Sequence, residues 1–231
     1  LTATALGVEL LIHYGHSCLV PMDPKNKLKV LYVFVDIQID PLHFIDTVKL
    51  NFQTSVKISL VSTIQFVVTL QGVAVKLREC NYEVIVPQFK PLSPGEILGC
   101  TAPVIPNCDV IIYLGDGRFH LESAMIANPK IQAYKYDPYD KKFTREGYDH
   151  DIMRGNREKC IERARVAKKF GVIMGTLGRQ GSAKVVDHMA ARLKHCNREC
   201  VIILLSEIFP SKLDLFDDID AFVQIACPRL S

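Results

Sequence analysis

The stretch "DVIIYLGDGRFH", residues 109–120, decides the fold. Five apolar residues, Val110 to Leu114, run straight into Gly115, Asp116, Gly117 and Arg118. A short continuous apolar run bounded by glycines reads as a strand covered on both faces. The polar residues after it read as a loop at the strand's carboxyl end. The same arrangement recurs at both ends of the chain, in "VELLIHYGHSC" (8–18) and "DAFVQIACPRLS" (220–231). A second pattern, strand then Thr then Gln, links "ISLVSTIQ" (58–65) with "GVIMGTLGRQ" (171–180). The spacing is too long for a thin solenoid of 20–50-residue repeats. It predicts three related units: a partial first at 1–55, a second at 56–165 and a third at 166–231.

Working outward, β-rich runs alternate with helical ones, which predicts an α/β fold of parallel sheets with helices on both faces. The strand candidates are Val8–Tyr14, Lys29–Val35, Lys57–Ser62, Glu83–Pro87, Val110–Leu114, Ile131–Tyr136, Gly171–Met174, Val201–Leu205 and Ala221–Ala226. Ser182 is placed to cap a helix whose Val185, Val186, Met189 and Leu193 share a face. Asp151–Phe170 reads as a second helix, with Ile161, Ala164, Ala167 and Phe170 on one stripe and a solvated charged face opposite. Open parallel sheets bind ligands beyond the carboxyl ends of their strands. The recurring loops after the strands are therefore the candidate site.

The 231 residues are 48% hydrophobic, enough for one large domain or two to three small ones. Twenty-eight basic against 25 acidic residues leave a net charge of +3, too balanced for a nucleic-acid footprint. The longest uncharged apolar runs, such as Ile58–Leu70, are too short to span a bilayer as a helix. No nucleic-acid or membrane partner is expected. No leader pattern opens the chain, and its start on Leu1 reads as a fragment or a trimmed sequence.

Eight cysteines without secretion signals argue against a disulfide scaffold. Cys196 and Cys200 beside His195 imitate a metal site, but a tetrahedral zinc site needs four convergent ligands, and they read as thiols at a helix end. His13 and His16 likewise lack a third ligand. "GTLGRQG" (175–181) follows a strand and precedes a helix, in neither the dinucleotide nor the P-loop spacing. Its glycines serve either a close ligand approach at a helix N-terminus or a tight turn. "LGDGRFH" (114–120) gathers Asp116, Arg118 and His120 in a loop that either binds a ligand or cross-braces itself. In "KPLSPGEILGCTAP" (90–103), Pro94 and Gly95 open a short helical turn and Cys100 stands at an abrupt ending before Pro103. Cys227, also at an element end beside Pro228, makes a second such thiol. Iron–sulfur clusters accept thiolates distant in sequence, and two thiolates do not complete one.

Longer segments carry a resemblance. "HYGHSCLVPMD", "LYVFVDI", "LVSTIQF", "QFKPLSPGEILGCTAP", "YLGDGRFHLESAMIANP", "YKYDPY", "GTLGRQGS", "LSEIFPSKL" and "ACPRLS" closely resemble the subunit 1 family of eukaryotic 2-(3-amino-3-carboxypropyl)histidine synthases. These carry out the first step of diphthamide biosynthesis, and the resemblance runs over essentially the whole chain. It implies three homologous α/β domains around a 4Fe-4S cluster, one Cys from each. Cys100 and Cys227 match the second and third ligands. The resemblance also implies S-adenosyl-L-methionine near Arg229 and the loop Gly178, Arg179, Gln180 and Gly181, with Asp116 and His120 as pocket-lining candidates.

The chemistry implied is a non-standard radical transfer. An electron from the reduced cluster breaks a bond of the sulfonium, and the 3-amino-3-carboxypropyl group passes to a histidine of elongation factor 2. The cofactor carries the hard step and the protein positions it. The family further implies a cytoplasmic heterodimer with a paralogous second subunit and a small iron-binding electron donor. The family's first-domain Cys lies upstream of Leu1, Cys18 occupies a different position, and family members continue past Ser231. A chain of this extent is expected to be inactive alone. Two other readings stay open: a non-catalytic scaffold subunit of the same complex, and a conventional nucleotide-binding α/β enzyme built on "GTLGRQG".

Overall fold

A computed structural model describes residues 2–15, 28–176 and 181–226. After a single helical turn, α1 (Thr2–Ala5), come β1 (Leu10–Tyr14), β2 (Lys29–Val33), α2 (Pro41–Asn51), β3 (Ile58–Ser62), α3 (Val67–Glu79), β4 (Val84–Ile85), β5 (Val110–Leu114), α4 (Phe119–Ala127), β6 (Gln132–Asp137) and β7 (Lys142–Glu146). The chain continues through α5 (His150–Val166), β8 (Lys169–Gly175), α6 (Ala183–His195), β9 (Glu199–Leu205), α7 (Pro210–Leu213) and β10 (Ala221–Ile225). The described residues form two compact units, one holding 9–15 and 28–148, the other 2–8 and the described part of 149–226. The fold is α/β with mainly parallel sheets, as the sequence predicts.

The first unit is built on a five-stranded sheet ordered β4-β3-β5-β6-β7. Strand side chains alternate between faces, so the apolar runs feed two cores at once. Ile58 and Leu60 of β3 and Val110, Ile112 and Leu114 of β5 meet Phe44 and Val48 of α2 and Leu70, Val73 and Leu77 of α3. Val61, Ile111 and Tyr113 face the other way, onto Leu121, Ala124 and Met125 of α4. Asp40 caps α2, its carboxylate accepting from the Leu42 N–H at 3.0 Å. Beside this sheet, β1 and β2 pair in parallel as two strands of their own.

Only β6–β7 is antiparallel among the described pairs. The strand β7, "KFTRE", escapes the sequence reading because charge interrupts any apolar alternation. It is an edge strand, placed by its pairing with β6 and by a turn in which Lys141 takes a φ of 52°.

The second unit carries a three-stranded, fully parallel sheet ordered β10-β8-β9. One face packs Val172 and Met174 on Val186 of α6, and the other packs Ile173 and Ile203 with Ile208. Asp220 ties the start of β10 to β8 by accepting from the N–H groups of Lys168 and Lys169 at 2.8 and 2.9 Å.

Two local expectations are corrected here. The helix predicted to reach Phe170 ends at Val166, and α5 buries none of its residues, so Ile161 is exposed. Ala167 and Phe170 are buried, but outside the helix, because β8 pairs with strands on both sides and that pairing overrides the helical period. Ser182 does precede α6, yet its side chain makes no capping bond; its carbonyl accepts from Val185 and Val186 instead. Among the described residues no helix is long and apolar enough to cross a membrane.

Candidate functional site

The carboxyl edge of the five-stranded sheet gathers Cys100, Asp116, Arg118 and His120. The segment after β4 returns to this edge. The Ser62 N–H donates to the Gly95 carbonyl at 2.8 Å, and the Ile97 N–H donates to the Ser62 carbonyl at 2.9 Å. Ser62 and Glu96 thereby pair in parallel, at the last residue of β3. This replaces the short helical turn expected before Cys100. Extended pairing wins because the edge of β3 offers the backbone partners that a lone turn would lack.

The chain then reverses between Leu98 and Thr101, whose N–H and carbonyl groups bond mutually at 3.0 and 3.2 Å. Gly99 and Cys100 form the two-residue loop, and Cys100 is exposed. Beyond it, buried Asn128 holds the outgoing strand. Its Oδ1 accepts from the Ile105 N–H at 2.7 Å and its Nδ2 donates to the Pro103 carbonyl at 2.9 Å. The thiol thus sits on a turn anchored on both sides.

The loop after β5 meets that turn. A β-carbon on Gly99 would run into the ring of Phe119, so only glycine lets the two loops close together. Asp116 is exposed in this loop, while His120 is buried at the start of α4. The buried Tyr113 curls beneath the loop and its hydroxyl donates to the Asp116 carbonyl at 3.3 Å. Arg118 is the brace. It donates to Glu122 at 2.7 Å, to Glu146 at 3.0 Å and to the Gly147 carbonyl at 2.6 Å. The bond to Glu122 holds its guanidinium above the ordinary range. Of the two readings left open for Arg118, cross-bracing is the one realised.

In the second unit, Gly181 stands where a β-carbon would strike the Gly175 carbonyl. Gly181 therefore lies directly against the end of β8, in an approach that only glycine allows. Gly178, Arg179, Gln180, Cys227 and Arg229 lie outside the described residues, as do His16 and Cys18. Cys108 and Cys200 serve packing. Cys108 donates to the Val110 carbonyl at 3.0 Å, and burial pushes its thiol pKa up. Cys200 packs against Val172 and Val186, and burial raises it too.

The sequence reading missed Asn128, Phe119 and a set of buried polar groups, Ser62, Thr63 and Glu96. A signal was present in "LVSTIQF" and "SPGEIL": hydroxyls and a carboxylate bordering apolar runs.

A family model described as "Putative diphthamide synthesis protein" matches residues 1–231. The chain belongs to the diphthamide synthesis protein family. Within that family it is 58% identical to the 2-(3-amino-3-carboxypropyl)histidine synthase subunit 1 of Nematostella vectensis, over 100% of this chain and 49% of the relative. It is 56% identical to the human protein of that name, over 100% of this chain and 53% of the relative. The chain thus spans about half the length of the curated relatives it matches. Among solved structures it resembles Dph2 from Pyrococcus horikoshii with a 4Fe-4S cluster, at a TM-score of 0.72 and 27% identity. That match covers 99% of this chain and 67% of the Dph2 chain. This chain shares its α/β fold.

Proposed function

We propose that this chain is part of the catalytic subunit of a 4Fe-4S, S-adenosyl-L-methionine-dependent transferase. It moves a 3-amino-3-carboxypropyl group to a histidine of elongation factor 2, the first step of diphthamide synthesis. The observation that carries this reading is the exposed Cys100 on its anchored turn at the sheet's carboxyl edge. The donor chemistry fits, since iron–sulfur clusters are held by thiolates. Cys108 and Cys200 are poorer donors, because burial raises their thiols toward the neutral form. Support also comes from the 4Fe-4S cluster in the similar archaeal Dph2.

In this reading Cys100 and Cys227 hold the cluster together with a further ligand upstream. When bound, the cluster supplies the electron that cleaves the sulfonium of S-adenosyl-L-methionine. The protein's own work is placement. Gln180 and the backbone of Gly178, Arg179 and Gly181 fix the cofactor's amino-acid moiety, and Arg229 is a further contact to the cofactor. Asp116 and His120 line the pocket beside the Cys100 turn. Arg118, tied to two carboxylates and a carbonyl, keeps that lining rigid. The proposal includes three domains divided near residues 55 and 166, a paralogous second subunit, a small iron-binding electron donor and a cytoplasmic setting.

The test is anaerobic reconstitution of the full-length protein beside its Cys100→Ala and Cys227→Ala variants. Each substitution is expected to strip most of the iron and sulfide, and adding S-adenosyl-L-methionine to shift the parent's electron paramagnetic resonance spectrum. Unchanged iron loading in both variants would favour the scaffold reading. Binding of a nicotinamide nucleotide, with a spectrum indifferent to S-adenosyl-L-methionine, would favour the conventional nucleotide enzyme.

A further inference from the structure

Beneath the Cys100 turn the structure keeps a carboxylate where packing alone would favour an apolar side chain. Glu96 is 2% exposed. Its Oε2 accepts from the Ser93 N–H at 3.0 Å, and its own N–H donates to the Ser93 carbonyl at 3.0 Å. Its other oxygen, Oε1, is buried without a hydrogen-bond partner among the described residues, and so are the hydroxyls of Ser62 and Thr63. Ser62 and Glu96 are register partners, so their side chains project to the same face of the sheet.

Burying polar atoms without partners is costly, and native folds rarely retain them without a purpose. Packing does not supply that purpose here: Ile97 and Leu98, next along the chain, are ordinary buried apolar residues. The placement does. Glu96 closes the Ser93–Glu96 turn with its side chain and pairs with Ser62 through its neighbours' backbone groups. Two residues later the chain enters the reversal that carries Cys100.

We infer that Glu96 is a positioning residue for Cys100: its buried carboxylate fixes the register from which the thiol-bearing turn projects. This rests on the reading of Cys100 as a cluster ligand. The physics separates two substitutions. Gln keeps an oxygen for the Ser93 N–H. Met has similar volume but leaves the Ser93 N–H unsatisfied, so the turn opens more often.

The experiment uses the full-length protein. In the apo form, amide hydrogen exchange of the segment 96–101, whose Glu96, Ile97, Leu98 and Thr101 N–H groups are bonded, is read by peptide mass spectrometry and is expected to speed up about tenfold in Glu96→Met, the opening expected when a hydrogen bond to a charged group is lost. Glu96→Gln is expected to exchange close to the parental rate. After reconstitution, Glu96→Met is expected to broaden or shift the cluster's electron paramagnetic resonance signal, and Glu96→Gln to restore the parent's. Parental exchange and an unaltered signal in Glu96→Met overturn the inference. If Glu96→Met fails to fold, Glu96→Asp replaces it, since withdrawing the carboxylate by one methylene breaks the same bond and predicts the same acceleration. Cys100→Ala runs alongside. If it keeps its iron, the cluster reading fails whatever Glu96 does; if it loses iron while Glu96→Met behaves as the parent, the positioning role alone fails.

Discussion

Replacing Asn128 tests the anchor of the candidate site most directly. The side chain is 5% exposed at the end of α4 and reaches the backbone of Pro103 and Ile105, just beyond Cys100. Asn128→Ala strands the Ile105 N–H and the Pro103 carbonyl in the interior. The Ala124 carbonyl keeps a partner, because the backbone N–H of residue 128 still donates to it at 3.0 Å. Two buried backbone groups left bare cost about 1–3 kcal/mol each, so the expected loss is about 4 kcal/mol. At a urea slope of about 2.5 kcal/mol per molar, the unfolding midpoint falls by about 1.6 M. Urea unfolding followed by circular dichroism reads this.

Asn128→Asp sharpens the test. It keeps an acceptor for the Ile105 N–H but turns an oxygen toward the Pro103 and Ala124 carbonyls, which Nδ2 now serves at 2.9 Å each. It should destabilise the protein about as much as Ala does. Near-parental stability in Asn128→Asp would refute the reasoning, because that variant keeps the volume and sets a carboxylate oxygen where a donor serves two carbonyls.

Two further outcomes are expected. Gly99→Ala drives a β-carbon into the Phe119 ring and should cost about 1–3 kcal/mol as an overpacked contact. Adding Phe119→Ala should recover part of that loss in a double-mutant cycle read by thermal melting, and strict additivity would count against the contact. Backbone N–H donors from Lys169 and Lys168 hold the Asp220 carboxyl below its ordinary range. A lowered folded pKa means the stabilisation is present above the unfolded value of about 4 and fades as pH falls through the folded value. Asp220→Ala should therefore be less stable than the parent at neutral pH and show a flatter acid limb in melting temperature against pH. Equal acid limbs would remove Asp220 from that balance.

The parallel sheets were legible in the sequence because strands covered on both faces must be apolar throughout. Val110–Leu114 needs no partner to be recognised, and β5 occupies those residues. The loop at its carboxyl end was legible for the complementary reason: glycines and charges cannot continue such a run. Cys100 stood out through its motif, the family likeness and its neighbouring prolines. What stayed hidden was everything that depends on a partner distant in the chain. The edge strand β7 has no apolar signature, since only β6 makes it a strand. The end of α5 looks helical until β8 is claimed by strands on both sides. Asn128 and Glu96 read as ordinary polar residues, and Arg118 as either a ligand contact or a brace. Their roles appear when the carbonyls, carboxylates and N–H groups they meet arrive from 23, 3 and 28 positions away. Local apolar pattern and turn chemistry are properties of a segment, so the sequence alone determined the strands and their loops. Which buried polar group satisfies which backbone atom is a property of folded space, and only the tertiary structure decided how the turn bearing Cys100 is held.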